Sequence, residues 1–487
     1  MLQLNHSSLL KTKSFINGKW TEGTVGKTFS VVNPFDQQEV TQVAEMGAPE
    51  ARSAIEAAHQ AFPMWKALTP KERGGYLLKW KELISRHWDD LSALLTYEEG
   101  KPHEQSTHEL MGCSGFLTWY AEEAKRLHGH TITSPDASRR FLTLRQPVGV
   151  VALITPWNFP SVLLLQKCAP ALAAGCTVVL KPAEDTPLSA LAHAYLAQEA
   201  GIPPGVFNVV ACGNPETVGH ELLHHPLVRK FSFTGSTDVG KKLTSVAAKT
   251  VKNVCLELGG NCPAIIFEDA DLERAVHQTF WLKFYNAGQC CNNINRFLVH
   301  TKIYDAFIDA FRQMIDKRIK LGSGMDATTT VGPLINHQGL AKVEELVQDA
   351  LSQGAVAVTG GQRSSKKDLF YPPTLLRNVT PKMRLYREEI FGPVAPIYSF
   401  TTEEEAIHMA NDTHYGLAAY LFSENIGRMW RVTEALEAGS IGANTCDAVS
   451  ELLPFGGWKE SGIGRENGAV GSLDSYCEYK SFIIGGI

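Results

Sequence analysis

PVGVVALITPWNFPSVLLLQKCAPALAAGCTVVLK, residues 147–181, reads strand, helix, strand. PVGVVALIT is a short run with no polar alternate face, as a strand buried on both sides requires. SVLLLQKCAPALAAG has helical length and composition, and CTVVLK returns to a β-branched run. Thr186 stands as an N-cap before Pro187 at the first helical position of PLSALAHAYLAQEAG, which Gly201 closes. GVFNVVA, VRKFSFT and VKNVCLEL follow as further strands separated by helical patterns. Strand–helix–strand order with right-handed crossovers implies a mostly parallel, doubly wound sheet.

The alternation resumes after Gly260. PAIIF, a helix from Asp271, RFLVH and a helix over 303–319 come first, then AVAVTG, PVAPIYSF, EEEAIHMAND, AAYLF, another helix and SIGAN. This is a second α/β unit. RRFLTLR (139–145) and the segment 476–484 are strand-like but belong to neither alternation; isolated strands need partners. They read as arms pairing between subunits, or as a local hairpin on one subunit.

The 487 residues exceed one hydrophobic core, so two domains are expected. A balance of 46 basic against 51 acidic residues, with no Lys/Arg cluster, gives no reason to expect a nucleic-acid partner. The N-terminus lacks a secretory h-region, and the apolar run 148–154 stops at Pro156, too short for a bilayer. Ten scattered cysteines without C-x-x-C pairs suit reduced thiols and no metal site. Cytoplasm and no membrane partner are the expectation.

FYNAGQCCNNINR follows a helical pattern and precedes a strand, so Cys290 and Cys291 fall in a loop or at a helix start. A thiolate is a strong nucleophile, whereas a free cysteine near pKa about 8.5 is mostly protonated at neutral pH. Gly288 would let the backbone approach a substrate carbonyl. One thiol pair alone identifies nothing, since a buried inert cysteine is the commoner case.

Order decides it. VALITPWNFP, LKPAEDTP, FSFTGSTDVG, LELGGNCP, NAGQCC, EEIFGPV, PFGGWK and SGIGRE occur in sequence. Together they resemble the aldehyde dehydrogenase superfamily from FINGKW to the C-terminus. KPAEDTP, AGIPPGVFNVV and LVRKFSFTGST are nearest to its succinate-semialdehyde dehydrogenase branch. The resemblance implies two doubly wound α/β domains, Rossmann-like NAD-binding and catalytic, plus a small β oligomerisation arm. These fall at 1–126 with 147–258, at 259–460, and at 127–146 with 470–487; a homodimer or homotetramer is implied.

By the same resemblance Cys291 is the nucleophile that forms a thiohemiacetal and then a thioester. Asn158 is the oxyanion donor. Glu257 is the base for deacylation, with Gly259 and Gly260 letting its side chain swing. Cys290 reads as a packing residue. The branch's second redox cysteine falls on Asn293 and is absent. Lys167 and Glu466 match a charged pair, either a proton route or a structural ion pair.

The cofactor implied is NAD, with NADP as the alternative. FTGSTDVG lacks G-x-G-x-x-G spacing, yet a helix N-terminus still suits a pyrophosphate, and the resemblance puts Gly235 and Ser236 there. Lys181 would bond the adenine ribose, and Glu184 would face its 2′ position, accepting from a hydroxyl and repelling a phosphate. Glu389 and Phe391 match the nicotinamide side, and Trp157 and Ile154 line the same cleft.

The branch clamps its substrate carboxylate with two arginines and a serine. Those positions are Gln166, Tyr285 and Val449 here. Burying a carboxylate without a cation is costly. Phe159, Tyr285, Val449 and Phe455 would instead form an apolar tunnel for an uncharged aromatic or aliphatic aldehyde. The alternatives are succinate-semialdehyde dehydrogenase proper, a CoA-acylating enzyme (disfavoured by Glu257), and a non-catalytic protein on the same fold, disfavoured because Cys291, Asn158 and Glu257 are all present.

Overall fold

The computed structural model describes residues 2–24, 26–363 and 368–486. Strands Val150–Ile154 and Thr177–Lys181 are buried at every position and pair in parallel, from Val150 opposite Thr177 to Ile154 opposite Lys181. Val228–Thr234 and then Asn253–Glu257 extend the sheet on one side, and Phe207–Val209 on the other, all in parallel. Antiparallel edges complete eight strands: Gly462–Ile463 beside Asn253–Glu257, and the hairpin Ser14–Ile16/Lys19–Thr21 beyond Phe207–Val209.

A second, seven-stranded sheet is built from Val356–Thr359, Thr374–Arg377, Val394–Phe400, Ile294–His300, Cys262–Ile266, Ala418–Phe422 and Ser440–Ala443, in that spatial order. It is parallel except for the edge strand Val356–Thr359. Both sheets therefore have the parallel α/β character expected of the alternation. No described helix is long and apolar enough to cross a membrane.

Helix Val162–Ala174 ends where Gly175 adopts a left-handed φ of 99°. Helix Pro187–Glu199 begins at Thr186 as expected, but the Thr186 side chain accepts no bond from it. The Glu98 carboxylate does so instead, taking the N–H groups of Leu188 and Ser189 at 2.7 and 2.8 Å. The Thr186 hydroxyl turns to the Trp157 carbonyl.

The arms pair with each other within one chain. Arg139–Pro147 runs antiparallel to Cys477–Gly485, from Arg139 opposite Gly485 to Pro147 opposite Cys477, with Thr131–Ile132 as a third strand. Ile487, the last residue of the arm read from sequence, lies outside the described residues. Leu144, Phe482, Ile483 and Ile132 stay exposed on this sheet.

Between the hairpin Ser14–Ile16/Lys19–Thr21 and strand Val150–Ile154, four helices (Ala48–Ala67, Pro70–Arg86, Trp88–Glu99 and His103–Glu123) pack on the strands and helices of the first sheet, the last lying along Val162–Ala174. Asp90 ties the N-terminus down by accepting from the backbone N–H groups of Asn5 and His6. With His6 and His87 it forms the one group of metal-capable side chains among the described residues.

Candidate active site

Four strand ends line up. Lys181 is opposite Ile154, Ile154 opposite Phe233, and Thr234 opposite Glu257. The carboxyl ends of parallel strands are where open α/β sheets bind ligands. Over this edge lies a cleft of about 570 Å³, whose walls include Trp157, Asn158, Gly235, Ser236, Cys291 and Glu389. Thr234, Leu258, Gln289, Asn336, Lys342 and Phe391 also face it.

Cys290 and Cys291 sit in the loop between the turn Tyr285–Gly288 and strand Ile294–His300. The loop is fixed from several sides. Tyr420 donates its hydroxyl to the Asn292 carbonyl at 2.9 Å, and the Asn293 amide reaches the Leu282 and Lys283 carbonyls. Glycines allow the loop to approach its neighbours. A Cβ on Gly288 would sit 2.2 Å from the Gly392 carbonyl oxygen, and one on Gly260 would sit 2.3 Å from that of Cys291. A Cβ on Gly259 would meet the Glu389 carboxylate at 3.0 Å. A side chain at Gly288 or Gly260 would therefore collide with neighbouring backbone, and one at Gly259 with the Glu389 carboxylate.

Cys290, expected as a packing residue, is half-buried. Its thiol donates to the Asn292 side-chain oxygen at 2.7 Å and stands next to that of Cys291. The hydrogen bond with Cys290, followed by burial, holds the Cys291 thiol well above its ordinary pKa.

Asn158 follows strand Val150–Ile154 and is 4% exposed. Its side-chain N–H donates to the Gln289 carbonyl at 3.1 Å, while its own side-chain oxygen has no partner. Glu257 ends its strand with both carboxylate oxygens buried and unpartnered. Burial raises its pKa well above the usual range, with Glu466 and Cys291 adding to the effect and Lys167 opposing it. The Lys167 ammonium, fully buried, is bonded to Glu466, and Ser232 donates to the same Glu466 oxygen at 3.1 Å.

The residues on the cofactor side suit a dinucleotide. Gly235 and Ser236 lead into helix Thr237–Ala247, whose first N–H groups have no helical acceptor and whose Ser236 side chain caps nothing. Thr234 faces the cleft with a buried, unpartnered hydroxyl. Trp157 and Phe391 meet edge to face at 5.7 Å. Glu389 accepts from the Gly260 N–H at 2.8 Å. Lys181 and Glu184 form an ion pair at 3.1 Å beyond the strand end. Ile154 is buried in the core.

Of the expected substrate residues, Phe159 and Tyr285 come together as stacked rings, 6.0 Å apart and 9° from parallel. Gln166 is buried with its amide nitrogen unpartnered. Val449 is 39% exposed in a loop, whereas Phe455 is buried and pairs its backbone with Glu466.

Sequence reading missed what lies behind Asn158. Lys101, Glu99 and Glu109 are buried together, and Lys101 donates to the Asn158 carbonyl. The string EEGKP carries no chemical motif, and its one signal is charge at the end of an apolar helix.

The aldehyde dehydrogenase family model matches residues 20–482. The chain is 48% identical over its whole length, and over all of the relative, to 3-sulfolactaldehyde dehydrogenase of Pseudomonas putida. It is 47% identical to the NADP(+) succinate-semialdehyde dehydrogenase of Escherichia coli (strain K12), covering 99% of this chain and 100% of that one. The crystal structure of succinate-semialdehyde dehydrogenase from Burkholderia pseudomallei superposes with a TM-score of 0.97 at 46% identity, covering 99% of this chain and 100% of that one.

Proposed function

The chain belongs to the aldehyde dehydrogenase family, and from that premise we propose that it oxidises an uncharged aldehyde through a thioester on Cys291, with NAD preferred over NADP. Enzymes of this family are NAD(P)-dependent oxidoreductases acting on aldehydes, and this chain is one of them. The observation that carries the finer reading is that Cys291, Asn158 and Glu389 open on one cleft with the Gly235–Ser236 helix start.

Cys291 loses its proton and its sulfur bonds to the aldehyde carbon. The oxygen becomes an oxyanion that Asn158, with the Cys291 backbone N–H, stabilises by donated hydrogen bonds. Gly235, Ser236, Lys181 and Glu184 would hold the dinucleotide, and Glu389, Phe391 and Trp157 its nicotinamide end. When bound, the nicotinamide supplies the acceptor for the hydride lost from the aldehyde carbon. Glu257 then takes a proton from water, whose oxygen attacks the thioester and expels the Cys291 thiolate. Aldehyde, NAD and water yield carboxylate, NADH and two protons. The ion pair of Lys167 and Glu466 acts on Glu257 in both directions, Glu466 raising its pKa and Lys167 lowering it.

Two relatives are named for aldehydes that carry an acidic group. The same substrate class is disfavoured here because Gln166, Tyr285 and Val449 stand where the arginines and serine would bind that group. Stacked Phe159 and Tyr285 favour an aromatic or aliphatic chain. Glu257 favours water over CoA as acyl acceptor. The exposed apolar side chains of the arm, Leu144 and Phe482 on one face and Ile483 on the other, support a homodimer or homotetramer.

The test is a panel of benzaldehyde, medium-chain aldehydes and succinic semialdehyde, followed by NADH or NADPH formation. A kcat/KM highest for succinic semialdehyde overturns the substrate reading, and equal efficiency with the two cofactors overturns the NAD preference.

A further inference from the structure

Asn158 is held in place through its backbone. Its carbonyl oxygen accepts two buried hydrogen bonds, from the Lys101 ammonium at 2.5 Å and from the Asn286 side-chain amide at 3.1 Å. Lys101 is fully buried, donates to Glu109 at 2.8 Å and lies 4.0 Å over the Phe159 ring. The other Glu109 oxygen accepts from the N–H groups of Ser161 and Val162, at 2.8 and 3.1 Å. One ion pair therefore grips the chain at Asn158 and again three residues later, where helix Val162–Ala174 begins.

The second donor is fixed too. Asn286 has a left-handed φ of 48° and also donates to Glu99 at 2.7 Å. Glu99 in turn accepts from the Lys101 backbone N–H at 2.9 Å. Asn158 has an unpartnered side-chain oxygen, and its amide makes one protein contact, to Gln289. The direction of its free N–H consequently depends on where the backbone sits.

We propose that Lys101 is a positioning residue that sets the Asn158 amide for its work on the reacting oxygen. This rests on the reading of Asn158 as the oxyanion donor. Lysine suits the task because three donors on one compact cation reach a carboxylate, a carbonyl and a ring face at once. Burial makes the assembly stiff: a charge with no water nearby has no alternative partners.

The test is a double-mutant cycle on the full-length enzyme with NAD, using the best aldehyde of the panel. Lys101→Met is expected to lower kcat by about 100-fold, as a misplacement of about 1 Å does, with KM changing far less. In an Asn158→Ala background the same substitution is expected to change kcat by less than about 2-fold, since coupled residues are not additive. The rate of Cys291 alkylation by iodoacetamide is expected to stay at the wild-type value in both. A drop of equal size in both backgrounds overturns the inference, as does a folded Lys101→Met enzyme with wild-type kcat. If Asn158→Ala alone leaves kcat unchanged, the oxyanion reading fails, and the positioning role with it. Lys101→Met leaves two carboxylates without a cation. Should it not fold, the cycle is run with Lys101→Met/Glu109→Gln and with Lys101→Arg, for which the same coupling to Asn158 is expected.

Discussion

The Asn158 side-chain nitrogen lies 3.1 Å from the carbonyl oxygen of Gln289, two residues before Cys291. The amide and the Cys290–Cys291 loop are thus joined directly, although they flank strands of different sheets. One N–H of the amide makes this bond and the other is left for a ligand. Asn158→Ala is expected to lower kcat by about 10²–10³-fold. Stopped-flow and steady-state assays of NADH formation check it.

Glu257 is buried beside Glu466 and Cys291, and its carboxyl is raised well above the usual range. A raised acid is ionised only above its raised pKa, so the base form gains with pH and kcat is expected to climb as pH rises through that pKa. Glu257→Gln is expected to lose that limb and to slow turnover by about 10²–10⁴-fold, while the first turnover still releases NADH. A pH series on both proteins reads the difference.

Glu184 pairs with Lys181 at 3.1 Å and is partly exposed. Removing its charge removes repulsion toward a 2′-phosphate and a hydrogen-bond acceptor for a 2′-hydroxyl. Glu184→Ser is expected to shift the NADP-to-NAD ratio of kcat/KM upward by about tenfold, equivalent to about 1.4 kcal/mol. Initial rates with the two cofactors measure it.

Gln166→Arg with Tyr285→Arg would place guanidinium groups where the chain now has a neutral amide and a ring. Hydrogen bonds to charged groups contribute about 1.5–3 kcal/mol. The ratio of kcat/KM for succinic semialdehyde over benzaldehyde should rise by at least about tenfold. An unchanged ratio would show that these positions do not meet the distal end of the substrate.

His193 is fully buried with both ring nitrogens unpartnered, and burial lowers its pKa from 6.5 to about 4. An unfolded histidine takes a proton near 6.5 and the folded one does not. The stability it contributes is complete above 6.5 and is lost as pH falls toward 4, a difference of about 3 kcal/mol. Relative to His193→Leu, the wild-type Tm should fall more steeply between pH 6.5 and 4. Differential scanning fluorimetry across that window tests this.

Most of the parallel strands were legible because they are short apolar runs bounded by helix signals, Val150–Ile154 and Thr177–Lys181 above all. The roles proposed for Cys291, Asn158 and Glu257 rest on the order of motifs, since a loop thiol, a turn asparagine and a strand-end glutamate have ordinary explanations singly. The Lys101 assembly was not legible. Its partners Glu109, Asn158 and Asn286 lie far apart in sequence and meet only through packing of helix His103–Glu123 on Val162–Ala174 and of the turn Tyr285–Gly288 against Glu99 and Gln105. Glu98 was hidden for the same reason: it caps a helix 90 residues away, a place where local rules assign Thr186. Thr374–Arg377 went unread because a four-residue strand carries little periodicity.

The most direct measurement is intact-protein mass spectrometry of Glu257→Gln after mixing with NAD and a good aldehyde. Slowed hydrolysis should leave one acyl group per chain, located by peptide mapping on Cys291 and absent from Cys291→Ala. An acyl group found on Cys290 or another side chain, or full turnover by Cys291→Ala, would contradict the thioester chemistry assigned to Cys291.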